Sequence, residues 1–354
     1  QLVYRLDGEA NFQMLTMSRS GAEQFAATIS PQANGQVIEF YVNAIDVQGT
    51  ARDWPSATGD CPRLLYQVDD QVIAPGRPVH RIILTKLERD ELAEIGRRPW
   101  HNTSDAQMSV TFINIEGGQA SVHYNVGVRL RGSTSRAATH KSRRVNFPND
   151  RPWRSRTAIN LNAIHPHAQE LGSALFRLAG LPAPRARVVR VFENKERLGG
   201  GSQFGHYAEL DPLNSEYIRW QFPNDDNGNL YKGGGYADLK FIGDEPAPYA
   251  KKYFYAKQTN TWQSDYSDLI GFLRALGKAD EPGLAARVDL DAWMRHLAVH
   301  DLLGNEETSL ATGDRGDYAL YAGTADRRFA LIPYDLDAVL GVQGGTKSPL
   351  WRAT

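Results

Sequence analysis

Asp335 and Asp337 stand two residues apart at the end of the apolar run 329–333, with Gly341 shortly after. Carboxylates at i and i+2 on an extended or turning backbone reach one hard cation, and Mg²⁺ is commonly held by one or two carboxylates plus substrate phosphates. A solvated acidic turn has the same spelling, so the pair by itself admits both readings. Upstream, Glu306 and Glu307 follow an amphipathic segment, and Asp314 and Asp317 precede the short run 318–321. These carboxylates either converge with Asp335 on a metal–phosphate site or solubilise loops. Arg315-Gly316-Asp317 also spells an adhesion tripeptide, a match that three residues often reach by chance.

Positive charge gathers elsewhere, in Arg129, Arg131, Arg136, Lys141, Arg143 and Arg144 around Gly132-Ser133-Thr134-Ser135. A glycine and hydroxyls between cationic strand ends offer backbone N–H groups, hydroxyls and charge to phosphate oxygens. Arg129 and Arg131 also share one face of a strand, so an ordinary amphipathic strand accounts for them equally well. A third patch, Lys232-Gly233-Gly234-Gly235, permits close backbone approach to a ligand or forms a plain hairpin. Neither GxGxxG, GxxxxGK[ST] nor HExxH occurs, which removes the dinucleotide, P-loop and zincin readings. His296 and His300, four apart on a helical segment, are read as a packed or surface pair ahead of a metal pair.

The elements that must position these groups are legible in outline. Short strands at 12–17, 24–29 and 37–45, separated by Pro31, Asn34 and Gly35, read as an immunoglobulin or fibronectin-III-like sandwich segment over residues 1–56. A linker-like stretch at 51–62 follows, then a domain over 57–354 in which strands (81–84, 109–115, 125–130, 185–192, 329–333) alternate with helices. The spacing predicts a helix over 169–179 with Leu171, Leu175 and Leu178 on its apolar face, stopped by Gly180 and Pro182. It predicts a second over 268–276 facing inward through Leu269, Phe272, Leu273 and Leu276. A third over 290–303 has Leu290, Met294 and Leu297 on its stripe, with Asp301 next. The fold class is α+β with two lobes, preceded by a small all-β domain.

Composition narrows the partners. The 354 residues are 41% hydrophobic and 23% charged with a formal charge of −1, so bulk electrostatics support neither nucleic-acid nor membrane-surface binding. No run approaches the roughly 18 apolar residues of a membrane-spanning helix. Cys61 is the only cysteine, excluding an internal disulfide or a CxxC site. Gln1-Leu2-Val3 carries no initiator Met and no signal-peptide pattern, so localisation rests on resemblance.

Taken in order, these patches resemble the spore-coat-H (CotH) family of secreted, atypical bacterial protein kinases. Val128-Arg129-Leu130-Arg131-Gly132-Ser133-Thr134-Ser135-Arg136 with Lys141-Ser142-Arg143-Arg144-Val145-Asn146-Phe147 resembles the family's RLRG…SR…KKS…F element. Gly180-Leu181-Pro182-Ala183-Pro184-Arg185-Ala186 resembles its GLPAPRA turn, and Gly205-His206-Tyr207-Ala208-Glu209 loosely matches a GxYxxxE-like segment. Gly228-Asn229-Leu230-Tyr231-Lys232 matches its GxLYK element, while Asp317-Tyr318-Ala319-Leu320-Tyr321 and Ile332-Pro333-Tyr334-Asp335-Leu336-Asp337 resemble NYYLY and IPWDLD. The resemblance implies a divergent two-lobed kinase-like fold that binds ATP with Mg²⁺ or Mn²⁺. It implies transfer of a phosphoryl group to Ser, Thr or Tyr hydroxyls of a secreted or cell-surface protein.

By that carry-over Asp335, Asp337 and Asp317 hold the metal, and Glu306 and Asp335 carry the catalytic roles. Arg131, Lys141 and Lys232 contact phosphate, and Glu209 positions a lysine. Two departures point the other way: Glu306 stands where the family usually has Asp, and Asp317 where it has Asn. They support an alternative, an inactive pseudokinase acting as a surface scaffold through its β domain. A metal-dependent phosphohydrolase is a third reading, weakened because no histidine lies beyond His300. The end at Trp351-Arg352-Ala353-Thr354 falls short of an expected kinase C-lobe, so the chain is read as a fragment; neither the phosphoacceptor nor the oligomeric state follows from it.

Overall fold

The computed structural model describes residues 1–56, 63–97, 104–132, 134–199, 205–251, 253–305, 310 and 316–342. Two compact units emerge: Gln1–Ile164 with Val188–Glu209, and His165–Arg187 with Leu210–Thr354.

In the first unit, apolar residues on the inward faces of successive strands build a closed barrel. Val79–Ile83, Met108–Glu116, Gln119–Leu130, Arg143–Asn146 and Ala158–Asn162 pair in sequence order, and Tyr207–Leu210 and Ala186–Glu193 continue the sheet. The ring closes because Ala186–Glu193 also pairs in parallel with Val79–Ile83, placing Arg190 opposite Val79 and Glu193 opposite Ile82. Closure abolishes free sheet edges along the ring. The Met108–Glu116/Gln119–Leu130 hairpin turns on Gly117 and Gly118, both at positive φ (58° and 77°), as a two-residue turn matched to strand twist requires. Ile82, Phe112, Val126, Val128, Val145 and Ile159, each 0% exposed, fill the interior, and Lys86–Arg97 adds Leu92 and Ile95 from a helix.

Ahead of the barrel, Leu2–Leu6 and Val37–Ile45 lie at the centre of a five-stranded sheet that includes Leu64–Gln67. A separate two-stranded ribbon pairs Ser18–Arg19 with Phe25–Ala26. Val37 and Leu65 share a buried cluster with Ile83 of the barrel, so the N-terminal sheet packs on it within one unit.

The second unit is organised around a four-stranded antiparallel sheet in the order Tyr255–Lys257, Asn229–Gly233, Tyr318–Ala322, Ala330–Pro333. Its core is rich in tyrosine, with Tyr231, Tyr249, Tyr255 and Tyr318 all buried beside Leu269, Phe272 and Leu273 of the helix Ser267–Gly277. The helix Leu290–Leu303 is capped by Asp289, whose carboxylate accepts the Ala292 N–H at 3.1 Å, and it ends at Gly304 in a left-handed conformation. Among the described residues no helix is long and apolar enough to cross a membrane.

The mixed α+β class is as expected, and so is the inward face of Ser267–Gly277. Two helices, however, bury faces other than those the leucines suggested. In Pro166–Leu178, Ala168, Gln169, Gly172, Ser173 and Phe176 face inward while Leu171 and Leu178 are exposed (46% and 82%). In Leu290–Leu303 the buried residues are His296, His300 and Leu303, while Leu290 and Met294 are exposed and Asp301 lies outside. The physical reason is close approach. A Cβ on Gly172 would come within 3.1 Å of the Leu336 side chain, so this helix turns its small residues, with Phe176, rather than its leucine stripe toward the acidic turn.

Candidate functional site

The acidic pair sits on a single turn of 3-10 helix, Leu336–Ala338, directly after the edge strand Ala330–Pro333. The turn is anchored by its apolar residues. Leu336 and Val339 are buried against Ala168 and Phe176, and the Leu340 N–H donates to the Leu303 carbonyl at 2.6 Å. With the backbone pinned on both sides, the carboxylates have little freedom of position. Asp335 occupies the left-handed region at φ 56° and is half-buried, and Gln169 Nε2 donates to its Oδ1 at 3.5 Å. Asp337 is buried at 8% exposure.

Three neighbouring strands bring further groups to the same end of the sheet. The last paired residues of the two edge-side strands are Tyr318 and Pro333, so Asp317 and Tyr334 form the next step outward. On the other flank Lys232 lies opposite Ala319. The Tyr334 hydroxyl reaches across the middle strand to the carbonyl of Gly233 and accepts the backbone N–H of Asp317, and its single proton is shared between that carbonyl and the Asp317 carboxylate. The Lys232 ammonium stands over the Tyr334 ring, 4.4 Å from its centroid. Burial first, then the Asp317 and Asp335 charges, push the Tyr334 hydroxyl well above its ordinary pKa. The phenol therefore stays protonated throughout the neutral range.

The glycine run beside Lys232 serves backbone packing. A Cβ on Gly234 would fall 2.6 Å from the Tyr253 Cα, and one on Gly316 would overlap the Gly234 carbonyl. Gly316→Ala must displace Gly233–Gly234 or Asp317, and we expect it to destabilise the second unit by about 2–3 kcal/mol. Thermal unfolding followed with a second-unit probe checks this; an unchanged midpoint would mean that the loop yields freely. Buried Gly316, with Asp317 held by Tyr334, is a poor presentation for an adhesion tripeptide.

The remaining expected site residues belong to the first unit. Glu209 is buried (3% exposed), with Oε2 at 2.7 Å from His80 Nε2 and Oε1 at 2.8 Å from Arg156. His80 packs on Phe112 and Trp153, so the carboxylate lies in the barrel core. The Lys141 ammonium donates to the Arg136 carbonyl at 2.6 Å, and burial lowers its pKa. Arg131 hydrogen-bonds Asn162 through its guanidinium, and its N–H donates to the Ser142 carbonyl at 3.0 Å. Much of the basic cluster has structural partners: Arg129 and Arg136 share Asp105, and Arg143 pairs with Glu193 at 2.6 Å. Glu306, Glu307, Asp314 and Ser133 lie outside the described residues.

Within the second unit, then, Lys232, Asp317, Asp335 and Asp337 come from one sheet end and the turn that follows it. Gln169 and Tyr334 were not singled out by sequence. Gln169 is a polar residue on the buried face of a helix, a signal masked by the more conspicuous leucines; Tyr334 sits inside the acidic motif as an apparent spacer.

Among the described residues no group of three or more His, Cys, Asp or Glu side chains is placed to hold a metal ion. A protein-only cage is thus not what these residues make. Two carboxylates on a pinned turn, with a lysine on the same sheet, do suit a divalent ion that takes its other ligands from phosphate and water.

Comparison with known proteins gives a concordant result. The family described as CotH kinase protein matches residues 128–351. The inner spore coat protein H of Bacillus subtilis (strain 168) is 26% identical over 226 residues, which is 61% of this chain and 59% of that protein. The chain therefore aligns with under two thirds of the length of that relative.

Proposed function

We propose, from the premise that this chain belongs to the CotH kinase family, that it is an ATP- and divalent-metal-dependent phosphotransferase acting on hydroxyls of a spore-surface, cell-surface or secreted protein. The observation that carries this reading is the gathering of Lys232, Asp317 and Asp335 at one end of one sheet, with Asp337 on the turn that follows. Asp335 and Asp337 would hold Mg²⁺ or Mn²⁺, which would supply positive charge to offset that of the phosphates. Lys232 would orient a phosphate, and Gln169, 3.5 Å from Oδ1, would help direct the Asp335 carboxylate. Asp335 also stands ready to accept the proton of an attacking hydroxyl. Phosphoryl transfer asks for little beyond such positioning and charge neutralisation. Roles for Arg131, Lys141 and Glu209, within the first unit, and for Glu306, outside the described residues, are proposed from the family alone, as is a two-lobed kinase-like fold with a sandwich-like N-terminal module.

A second reading is a pseudokinase scaffold, favoured by Asp317, whose side chain already hydrogen-bonds Tyr334. Calorimetry of ATP binding with and without Mn²⁺, on wild type and on Asp335→Ala/Asp337→Ala, separates the two. We expect metal-dependent binding in the wild type and its loss, by at least about tenfold in affinity, in the variant. No binding in the wild type would favour the scaffold.

A further inference from the structure

We infer that Tyr334 is a positioning residue that sets Asp317 and Lys232 in fixed relation to each other, so that one acts toward a divalent ion and the other toward phosphate. The inference rests on the phosphotransferase reading and adds to it a residue with no chemical role of its own.

The geometry is that of a strap over three strands. Tyr334 follows the edge strand Ala330–Pro333, and its hydroxyl crosses the middle strand Tyr318–Ala322 to donate to the Gly233 carbonyl on Asn229–Gly233. The same oxygen accepts the Asp317 N–H. Asp317 has φ +67°, a left-handed conformation uncommon outside glycine that Asp adopts when local hydrogen bonds support it. The Tyr334 oxygen supplies part of that support, and its one proton, shared between the Gly233 carbonyl and the Asp317 carboxylate, draws that side chain toward it. The ring does separate work: its face lies 4.4 Å from the Lys232 ammonium, a cation–π contact that limits where the long side chain can place its charge. Hydroxyl and ring thus act on two different residues, and substitutions can separate them. Tyr334→Phe removes the hydroxyl alone; Tyr334→Leu removes both.

The test is a double-mutant cycle on Mn²⁺ affinity at saturating ATP, read from free Mn²⁺ by electron paramagnetic resonance, with wild type, Tyr334→Phe, Asp317→Asn and the double variant. Metal-free ATP affinity is measured in parallel for Tyr334→Phe and Tyr334→Leu. We expect each single variant of the cycle to weaken Mn²⁺ binding about fivefold or more and the double variant to be no weaker than the worse single. Metal-free ATP affinity should fall in Tyr334→Leu and not in Tyr334→Phe. A purely packing role would instead lower both affinities together in Tyr334→Phe, which would overturn the inference. So would additive effects across the cycle, with the phosphotransferase reading left standing. Absence of any metal–ATP binding in the wild type would overturn the inference and that reading together. Asp317→Asn probes the same bond from its other end, so a poorly folding tyrosine variant still leaves a decisive comparison.

Discussion

Acidification from pH 7 to pH 5 is expected to loosen the helix Leu290–Leu303 by about 2–4 kcal/mol, through two histidines that are held neutral. His296 and His300 are 0% and 5% exposed, tilted against each other with ring centroids 4.7 Å apart, and each lies 4.8 Å from the Phe176 ring. Burial, with the His300 charge as a second cause, drives the His296 pKa well below its ordinary value, and burial takes His300 to about 3. The neighbours offer little to a cation. Asn305 Nδ2 approaches His300 Nδ1 at 3.3 Å, the Leu331 carbonyl faces His296, and the ionisable side chains Asp301 and Arg295 sit on exposed positions of the same helix. Arg177 is the charged residue of the facing helix Pro166–Leu178 near Phe176.

Because the folded pKa values lie below the unfolded value near 6.5, the unfolded chain binds more protons in this window. The stabilisation is therefore complete above about pH 6.5 and is lost as the pH falls below it. Carboxylates titrate mostly below pH 5, and burial also lowers the pKa of His123 in the first unit, so the helix's own amides and the paired histidine variant are what single out His296 and His300. Hydrogen-exchange protection of the Leu290–Leu303 amides, corrected for intrinsic rates, should fall with pH in the wild type and stay level in His296→Leu/His300→Leu. A wild-type profile as flat as the variant's would sink the account.

Glu209→Ala should cost about 3–5 kcal/mol of first-unit stability, since it leaves Arg156 and His80 in the barrel without their shared carboxylate. The guanidinium also stacks on Trp153, 4.6 Å from the ring centroid, so it cannot swing into water without uncovering that ring. Glu209→Gln keeps an acceptor and should lose roughly half as much. Denaturant titration of the full chain, followed by a probe in the barrel, tests both variants. If Glu209→Ala unfolds at the wild-type midpoint, the network has no structural weight and Glu209 is better explained as serving a ligand.

What could be read beforehand depended on how local the determining physics was. Val37–Ile45 and Leu290–Leu303 were placed to the residue because β-branched density and a capped helical period are properties of a short window. The acidic turn was recognisable for the same reason. Which face each helix buries was not local. Leu171 and Leu178 form a convincing stripe, yet Gly172 is buried because the Leu336 side chain lies close by, some 160 residues downstream. Barrel closure was illegible too, since nothing near Val79–Ile83 announces that its parallel partner is Ala186–Glu193. The role of Tyr334 needed the register of three strands. Before that register is known, it is an aromatic between a proline and an aspartate.

The closing seam of the barrel also bears on how the protein comes into being. After its first seam strand the chain leaves the first unit at Ile164, contributes His165–Arg187 to the second, returns for Val188–Glu209, which carries most of the other seam strand, and departs again at Leu210. The hairpins from Met108 to Asn162 join near neighbours and can form early, whereas the seam joins residues about 110 apart and pays loop-closure entropy before any contact rewards it. On the ribosome the barrel can shut only after Glu209 has emerged, with a helix of the second unit already made and waiting for a core not yet synthesised. The seam is thus the most non-local pairing of the barrel, and fragments cut anywhere between 84 and 186 would each carry an unmatched strand.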